Sequence, residues 1–169
     1  TKGGCLAFLY RQDSEYDAYS TKVKEIAASG IYVLFKPLLK RKKIWLVYEK
    51  FCSMTQDNGY YFFKYCMENL SDEEKKNIYY VIDKKAPDYE KIKEYDDHII
   101  QFMSLKHVLY VLAAVLYVAS DSRTHLYAWR CKTSLIRSKI DKRPIFFLQH
   151  GVTALKQVGP LFGRKGSSP

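Results

Sequence analysis

Apolar residues along this chain follow one period near the start and another from about residue 44. Over 15–39 they fall at helical spacing, at Tyr16, Tyr19, Val23, Ile26, Ala27, Leu34, Phe35 and Leu38, which predicts an amphipathic helical segment. Gly30 is a place where it can split in two, and Pro37 weakens its end. From 44 a β/α alternation sets in. Strands are expected at 44–48, 77–83, 98–103, 116–119 and 144–148. Helices are expected at 60–70, capped by Asp57 or Asn58, at 87–95 with a proline near its start, from Ser104 to about 115, and over 125–139. The last strand is a continuous apolar run of the kind that suits burial on both faces. Five strands alternating with helices predict an α/β fold, a doubly wound, Rossmann-like parallel sheet, preceded by an N-terminal helical segment.

Composition narrows the function classes. The chain has 169 residues, room for one ordinary domain, and 47% hydrophobic content excludes a disordered chain. Its net charge of +10 is unevenly spread: residues 1–43 carry nine Lys/Arg against four Asp/Glu, 44–121 nine against thirteen, and 122–169 ten against one. Basic ends favour an anionic partner: phosphates, nucleic acid or a lipid surface. Five of the eight residues 36–43 are basic, so this segment either lies on an anionic membrane through Lys40, Arg41, Lys42 and Lys43 or packs on the domain beside a solvated charge run. Fifteen tyrosines permit a nucleic-acid-binding surface, but most fall in expected strands and helices, so no nucleic acid partner is expected. Cys5, Cys52, Cys66 and Cys131 form no Cys-x-x-Cys pair and have no histidine at ligand spacing. They read as reduced thiols, with no metal site. No apolar run reaches the length of a membrane span, and no signal peptide is evident. With no initiator Met and a Gly-Ser-Ser-Pro end, the chain reads as a piece of a longer protein, with boundaries at 1–43 (basic helical segment), 44–158 (Rossmann-like domain) and 159–169 (start of a connection).

The candidate chemistry collects at expected strand ends. The run 144–148 stops at Gln149-His150-Gly151, placing an imidazole at the carboxyl end of a strand before a glycine that lets the chain turn sharply. Ligands sit at such ends in parallel sheets, and an imidazole there is a candidate general base. Glu49, Asp57-Asn58, Asp83, Ser104 and Ser120-Asp121-Ser122 end the other strands. A carboxylate such as Asp121 beside an imidazole would fix its tautomer. His98, His107 and His125 are not at expected strand ends and read as structural or surface residues. No Gly-x-Gly-x-x-Gly follows the first strand, which argues against a dinucleotide site of the usual kind.

Several pieces occur together in one order: residues 43–50 (Lys-Ile-Trp-Leu-Val-Tyr-Glu-Lys), 56–65 beginning Gln-Asp-Asn-Gly, Ser104-Leu105-Lys106-His107, Ala119-Ser120-Asp121, and Phe147-Leu148-Gln149-His150-Gly151 followed by Lys156. Over about 40–169 this set resembles the CDP-glycerol glycerophosphotransferase family, which builds teichoic acids and related polyol-phosphate polymers. The family often continues its His-Gly motif with Thr-Pro-Leu-Lys, whereas here Val152-Thr153-Ala154-Leu155-Lys156 follows. The resemblance implies one half of a GT-B architecture, the acceptor side, on the cytoplasmic face of the cell membrane. It implies His150 as catalytic base, and an acceptor held near Asp57, Asn58, Asp121, Ser122, Gly151 and Lys156. The donor, CDP-glycerol or CDP-ribitol, would bind a second domain, so no cofactor is expected on this chain. The acceptor would be a polyol-phosphate or lipid-linked chain. A GT-B glycosyltransferase using a nucleotide sugar is the alternative.

Overall fold

A computed structural model describes residues 12–128 and 134–149. A 3-10 turn at Glu15–Asp17 leads into helix α1 (Tyr19–Arg41). Then follow β1 (Trp45–Tyr48), α2 (Asn58–Asn69), a single helical turn α3 (Asp72–Lys75), β2 (Ile78–Ile82), two 3-10 turns at Pro87–Lys91 and Lys93–His98, and β3 (Ile99–Gln101). The chain continues through α4 (Leu105–Ala113), β4 (Leu116–Ala119), a 3-10 turn at Arg123–Leu126, α5 (Arg137–Ile140) and β5 (Ile145–Phe147). The five strands form one sheet in the order β3-β2-β1-β4-β5, every pair parallel. This is the doubly wound, Rossmann-like α/β arrangement that the alternation predicts.

Period-2 alternation along the central strands divides the core. Leu46, Tyr48, Val81, Ile100, Tyr117 and Ala119 face α4 and residues of α1 and α5, whereas Val47, Tyr80, Ile82 and Val118 face Phe63, Cys66 and Met67 of α2. Tyr80 and Tyr117 are fully buried, and their hydroxyls donate to Met54 O at 2.7 Å and Val111 O at 2.9 Å. Most of the strands' aromatic content therefore serves the core.

Three expectations need correction. First, α1 is continuous through Gly30. Its break is at Phe35 (φ −105°, ψ 16°), two residues before Pro37, whose ring crowds the preceding turn and which has no N–H to donate. Its buried positions are Thr21, Glu25, Ala28 and Leu39, while Tyr19, Val23, Ile26, Leu34, Phe35 and Leu38 are exposed. The helix thus packs through a face that carries polar groups. Glu25, fully buried, accepts from the Tyr127 hydroxyl (2.9 Å), the Ser134 hydroxyl (2.8 Å) and Leu135 N (3.3 Å), which compensates its desolvation. Second, the helix expected over 125–139 is replaced by the 3-10 turn at Arg123–Leu126 and the single turn α5, with 129–133 outside the described residues. Third, β5 is not buried on both faces. Phe146 is 56% exposed and Phe147 38%, because among the described residues β5 pairs with β4 alone and forms an edge.

The remaining boundaries hold within a residue or two. Asp57 is the N-cap of α2, and the Ser104 hydroxyl accepts from His107 N at 3.1 Å to cap α4. The segment 87–95 forms 3-10 turns with Pro87 at the first position. Cys52 and Cys66 are buried free thiols, while Cys5 and Cys131 lie outside the described residues. Among the described residues no helix is long and apolar enough to cross a membrane.

His107 is structural, as expected, and has a thermodynamic signature. It is fully buried between Phe102 and Tyr127, and its Nδ1 accepts from Met103 N at 3.1 Å, holding Met103 in a left-handed conformation (φ 55°). Burial pushes its pKa down to about 3, from a usual 6.5. The unfolded chain takes up a proton below pH 6.5 and the folded chain does not, so stability falls as pH drops from 6.5 towards 3, at about 1.4 kcal/mol per pH unit. His107→Asn keeps an acceptor near the Nδ1 position and cannot titrate. Urea unfolding between pH 4 and 7 should show a shallower pH slope for it than for the unaltered chain.

Candidate functional site at the carboxyl ends of the strands

The strand order reverses between β1 and β4, so the loops leaving these two strands diverge and leave a crevice at their carboxyl ends. Glu49, the residue after β1, organises one wall. It is 2% exposed, and its carboxylate accepts three backbone N–H groups: Gln56 at 2.9 Å, Asp57 at 3.0 Å and Tyr60 at 2.7 Å. Burial raises its pKa while these bonds pull the other way. A strand-end carboxylate thus caps the helix that follows, because the first N–H groups of α2 have no partner within the helix. Gly59 makes the approach possible: a Cβ there would lie 3.0 Å from Glu49 Cγ and 3.2 Å from Tyr48 O.

Asp57 and Asn58 sit at the start of α2, on the same rim. Asp57 Oδ1 accepts from Asn58 N at 2.7 Å, and the Asn58 amide donates to Gln149 O at 2.5 Å. Leu148 N donates to Ala119 O at 2.8 Å. The end of β5 is therefore tied both to β4 and to the α2 N-terminus, on residues adjoining position 150. His150, Gly151 and Lys156 themselves lie outside the described residues.

The other wall follows β4. Asp121 Oδ1 accepts from Ser122 N at 2.7 Å, and its Oδ2 lies 3.3 Å from Nδ1 of His125. Ser122 caps the short turn, accepting from Thr124 N at 3.3 Å. His125, expected as a structural or surface residue, instead faces the crevice. Its ring packs on Phe51 with centroids 4.3 Å apart, and Cys52 Sγ donates to its carbonyl at 3.3 Å. Phe51 and Cys52 both adopt left-handed conformations (φ 54° and 50°), costly for residues with a Cβ and held by these contacts. Burial lowers the His125 pKa, and nearby Asp121 only partly offsets it, so the free site holds a neutral imidazole at neutral pH. Burial also raises the Cys52 thiol well above its usual range, which excludes it as a thiolate nucleophile.

Phe51 and His125 also line a cleft of about 700 Å3, with Tyr16, Asp83, Phe102 and Arg137 among others. Nearby, Tyr48 Oη, Ser120 Oγ and Arg123 Nε are buried without a hydrogen-bond partner among the described residues. Such atoms are uncommon in folded cores, and their concentration at the ends of β1 and β4 marks a region built around polar groups. Sequence reasoning missed His125, Phe51 and Arg137. The Asp-x-x-x-His spacing after a strand was the available signal for His125, whereas a helix drawn over 125–139 hid Arg137. Among the described residues no group of His, Cys, Asp and Glu side chains is placed to hold a metal ion. Glu49→Ala would leave Gln56 N and Asp57 N without their acceptor, while Tyr60 N keeps Asp57 O at 3.0 Å, and should cost on the order of 2–3 kcal/mol, read from urea unfolding.

No known family profile matches the chain, and no solved structure matches it. Over 135 residues it is 30% identical to the minor teichoic acid biosynthesis protein GgaB of Bacillus subtilis (strain 168), an alignment covering 77% of this chain. The alignment covers 14% of GgaB, so the chain corresponds to a small part of that protein. What the comparison supports is a distant likeness to a protein of teichoic acid biosynthesis.

Proposed function

We propose that this chain is the acceptor-side domain of a transferase that moves glycerol phosphate or ribitol phosphate from a CDP-polyol to a hydroxyl of a membrane-linked acceptor. The observation that carries the reading is spatial. Asn58, beside Asp57 at the start of α2, donates to the carbonyl of Gln149, the residue before His150, and Leu148 N donates to Ala119 O of β4, the strand that Asp121 and Ser122 follow. The motif order along the chain and the likeness to GgaB support the same chemistry.

In this reading His150 is the general base. The acceptor hydroxyl oxygen attacks the β-phosphorus of the donor, the bond from that phosphorus to the bridging oxygen breaks, and CMP leaves with that oxygen. The hydroxyl proton passes to His150, which must be neutral to receive it. Asp57, Asn58, Asp121, Ser122, Gly151 and Lys156 surround the acceptor end, and Lys156 is suited to offset charge on the phosphoryl oxygens. The donor-binding groups belong to a second domain outside this chain.

Membrane contact is the second part of the proposal. The apolar positions Val33, Leu34, Phe35 and Leu38 of α1 are exposed on the side away from the core. Lys40, Arg41, Lys42 and Lys43 follow at the amino ends of the strands, where Arg41 to Lys43 border a second hollow, of about 600 Å3, with Trp45 and Lys76. An apolar helix face ending in clustered cations suits an anionic bilayer surface, each cation contributing about 1 kcal/mol.

Two measurements test the proposal. General-base assistance is typically worth about 10²- to 10⁴-fold, so His150→Ala and His150→Gln should each slow CMP release from CDP-glycerol by the complete protein about that much, with circular dichroism unchanged. Near wild-type turnover in both would remove His150 as the base, and release from a nucleotide sugar alone would replace the donor class. Changing Lys40, Arg41, Lys42 and Lys43 all to Glu should abolish co-sedimentation with phosphatidylglycerol vesicles. Unchanged sedimentation would leave α1 as a packing element.

A further inference from the structure

Arg137 is a half-buried cation that lines the cleft at the carboxyl ends of the strands, and its guanidinium makes no hydrogen bond or ion pair among the described residues. A guanidinium leaves such a position unpaired only at a cost, since it offers five donors in a fixed fork matched to the oxygens of a phosphate or carboxylate. The same cleft is lined by His125, an imidazole that becomes a second donor cation on taking up a proton. Apolar rings of Tyr16, Phe51 and Phe102 fill out the walls. The cleft therefore pairs a cationic fork with a convertible cation inside a largely apolar frame, which fits an anion carried on a short carbon skeleton rather than a bare ion.

We propose that this cleft is a phosphodiester-binding subsite, in which Arg137 and His125 grip one phosphate of the acceptor chain a unit or more from the reacting hydroxyl. The inference rests on the acceptor-side reading above and adds the residues that select a phosphate-bearing acceptor. The groups facing His125 decide how it responds. Asp121 lies 3.3 Å from its Nδ1, Lys50 on the turn after β1 is a neighbouring cation, and Asp83 and Arg137 line the cleft with it. Asp83 accepts from Lys85 N at 3.0 Å and from the Gln101 amide at 3.1 Å, both on Oδ1. In the free protein burial keeps His125 neutral below its usual range. A bound phosphodiester adds a negative charge beside the ring and raises the affinity of His125 for a proton. Binding is then coupled to proton uptake, and affinity rises as pH falls through the bound-state pKa of His125 towards its lower free-state value. A diester keeps a constant charge over this range, so the pH dependence reports the protein.

The test uses glycerophosphoglycerol, a phosphodiester of two glycerols, titrated into this chain by calorimetry and by NMR of the histidine ring signals. The ligand should shift the His125 ring resonance and raise its titration midpoint, and affinity should weaken roughly tenfold from about pH 6 to pH 8. Arg137→Gln should lower affinity roughly 10- to 100-fold and Arg137→Lys less, because the ammonium keeps the charge but loses the fork. His125→Gln should bind more weakly at pH 6 and lose the pH dependence. The proposal is overturned by an absence of binding at millimolar ligand, by binding that leaves the His125 resonance unmoved, or by unchanged affinity in folded Arg137→Gln. If Arg137→Gln does not fold, His125→Gln and the resonance shift decide. Turnover separates this inference from the one beneath it. CMP release that depends on His150 but shows an unaltered acceptor KM in His125→Gln and Arg137→Gln overturns the subsite and leaves the transferase reading standing. Arg137-dependent binding by a complete protein that releases no CMP from CDP-glycerol overturns the transferase reading and leaves a phosphodiester site.

Discussion

The arrangement of the site depends on one buried carboxylate. Glu49 sits where β1 ends, almost out of reach of solvent, and a charge in that position is tolerated only when its lone pairs are filled. Three backbone N–H groups fill them, all from the loop and first turn of α2. The consequences run outward. Gly59 must lack a side chain, Asp57 and Asn58 are brought onto the rim, and Asn58 reaches the carbonyl of Gln149. Asp88 secures the same loop from the next strand's exit, accepting from Thr55 N at 3.0 Å and from the Gln56 amide at 2.8 Å. A single sequence stretch, 49–60, therefore fixes the geometry of both the first and the last strand ends.

The fold was legible where burial acts on both faces of an element. Val47, Tyr80, Ile82, Tyr117 and Val118 are in apolar runs and are buried, so strand existence and order of appearance followed from the pattern. Legibility failed where burial is one-sided or polar. In α1 the apolar residues mark the exposed face, and the packed face carries Thr21 and Glu25, whose partners Tyr127, Ser134 and Leu135 are more than a hundred residues away. No local pattern announces such partners. In β5 the run 144–148 has core composition, yet Phe146 and Phe147 stand open at an edge among the described residues. Hydrophobicity alone does not distinguish a central strand from one that faces a further surface.

The site was half legible for a related reason. Asp57, Asn58 and Asp121 stood out as candidates because a polar residue closing an apolar run is a one-dimensional signal. His125 and Arg137 come to the cleft by turns that have no period, a 3-10 turn and a single helical turn, in a stretch whose composition imitates a continuous helix. Phe51 gave no signal at all, since its left-handed backbone is set by tertiary contacts with His125 and Cys52. Strained non-glycine residues persist only where their surroundings over-determine them.

The two ends of the sheet carry different electrostatics. At the amino ends Arg41, Lys42, Lys43 and Lys76 face Glu73 and Glu74 around Trp45, a solvated basic surface that salt screens readily. At the carboxyl ends burial rather than charge number sets the balance. It holds Cys52 as a thiol and His125 as a neutral ring, in a cleft that Asp83 and Arg137 also line. A site poised in this way has little field of its own. The charge of what enters decides whether His125 becomes a cation, so the same burial that keeps the empty cleft neutral makes it responsive to an anion.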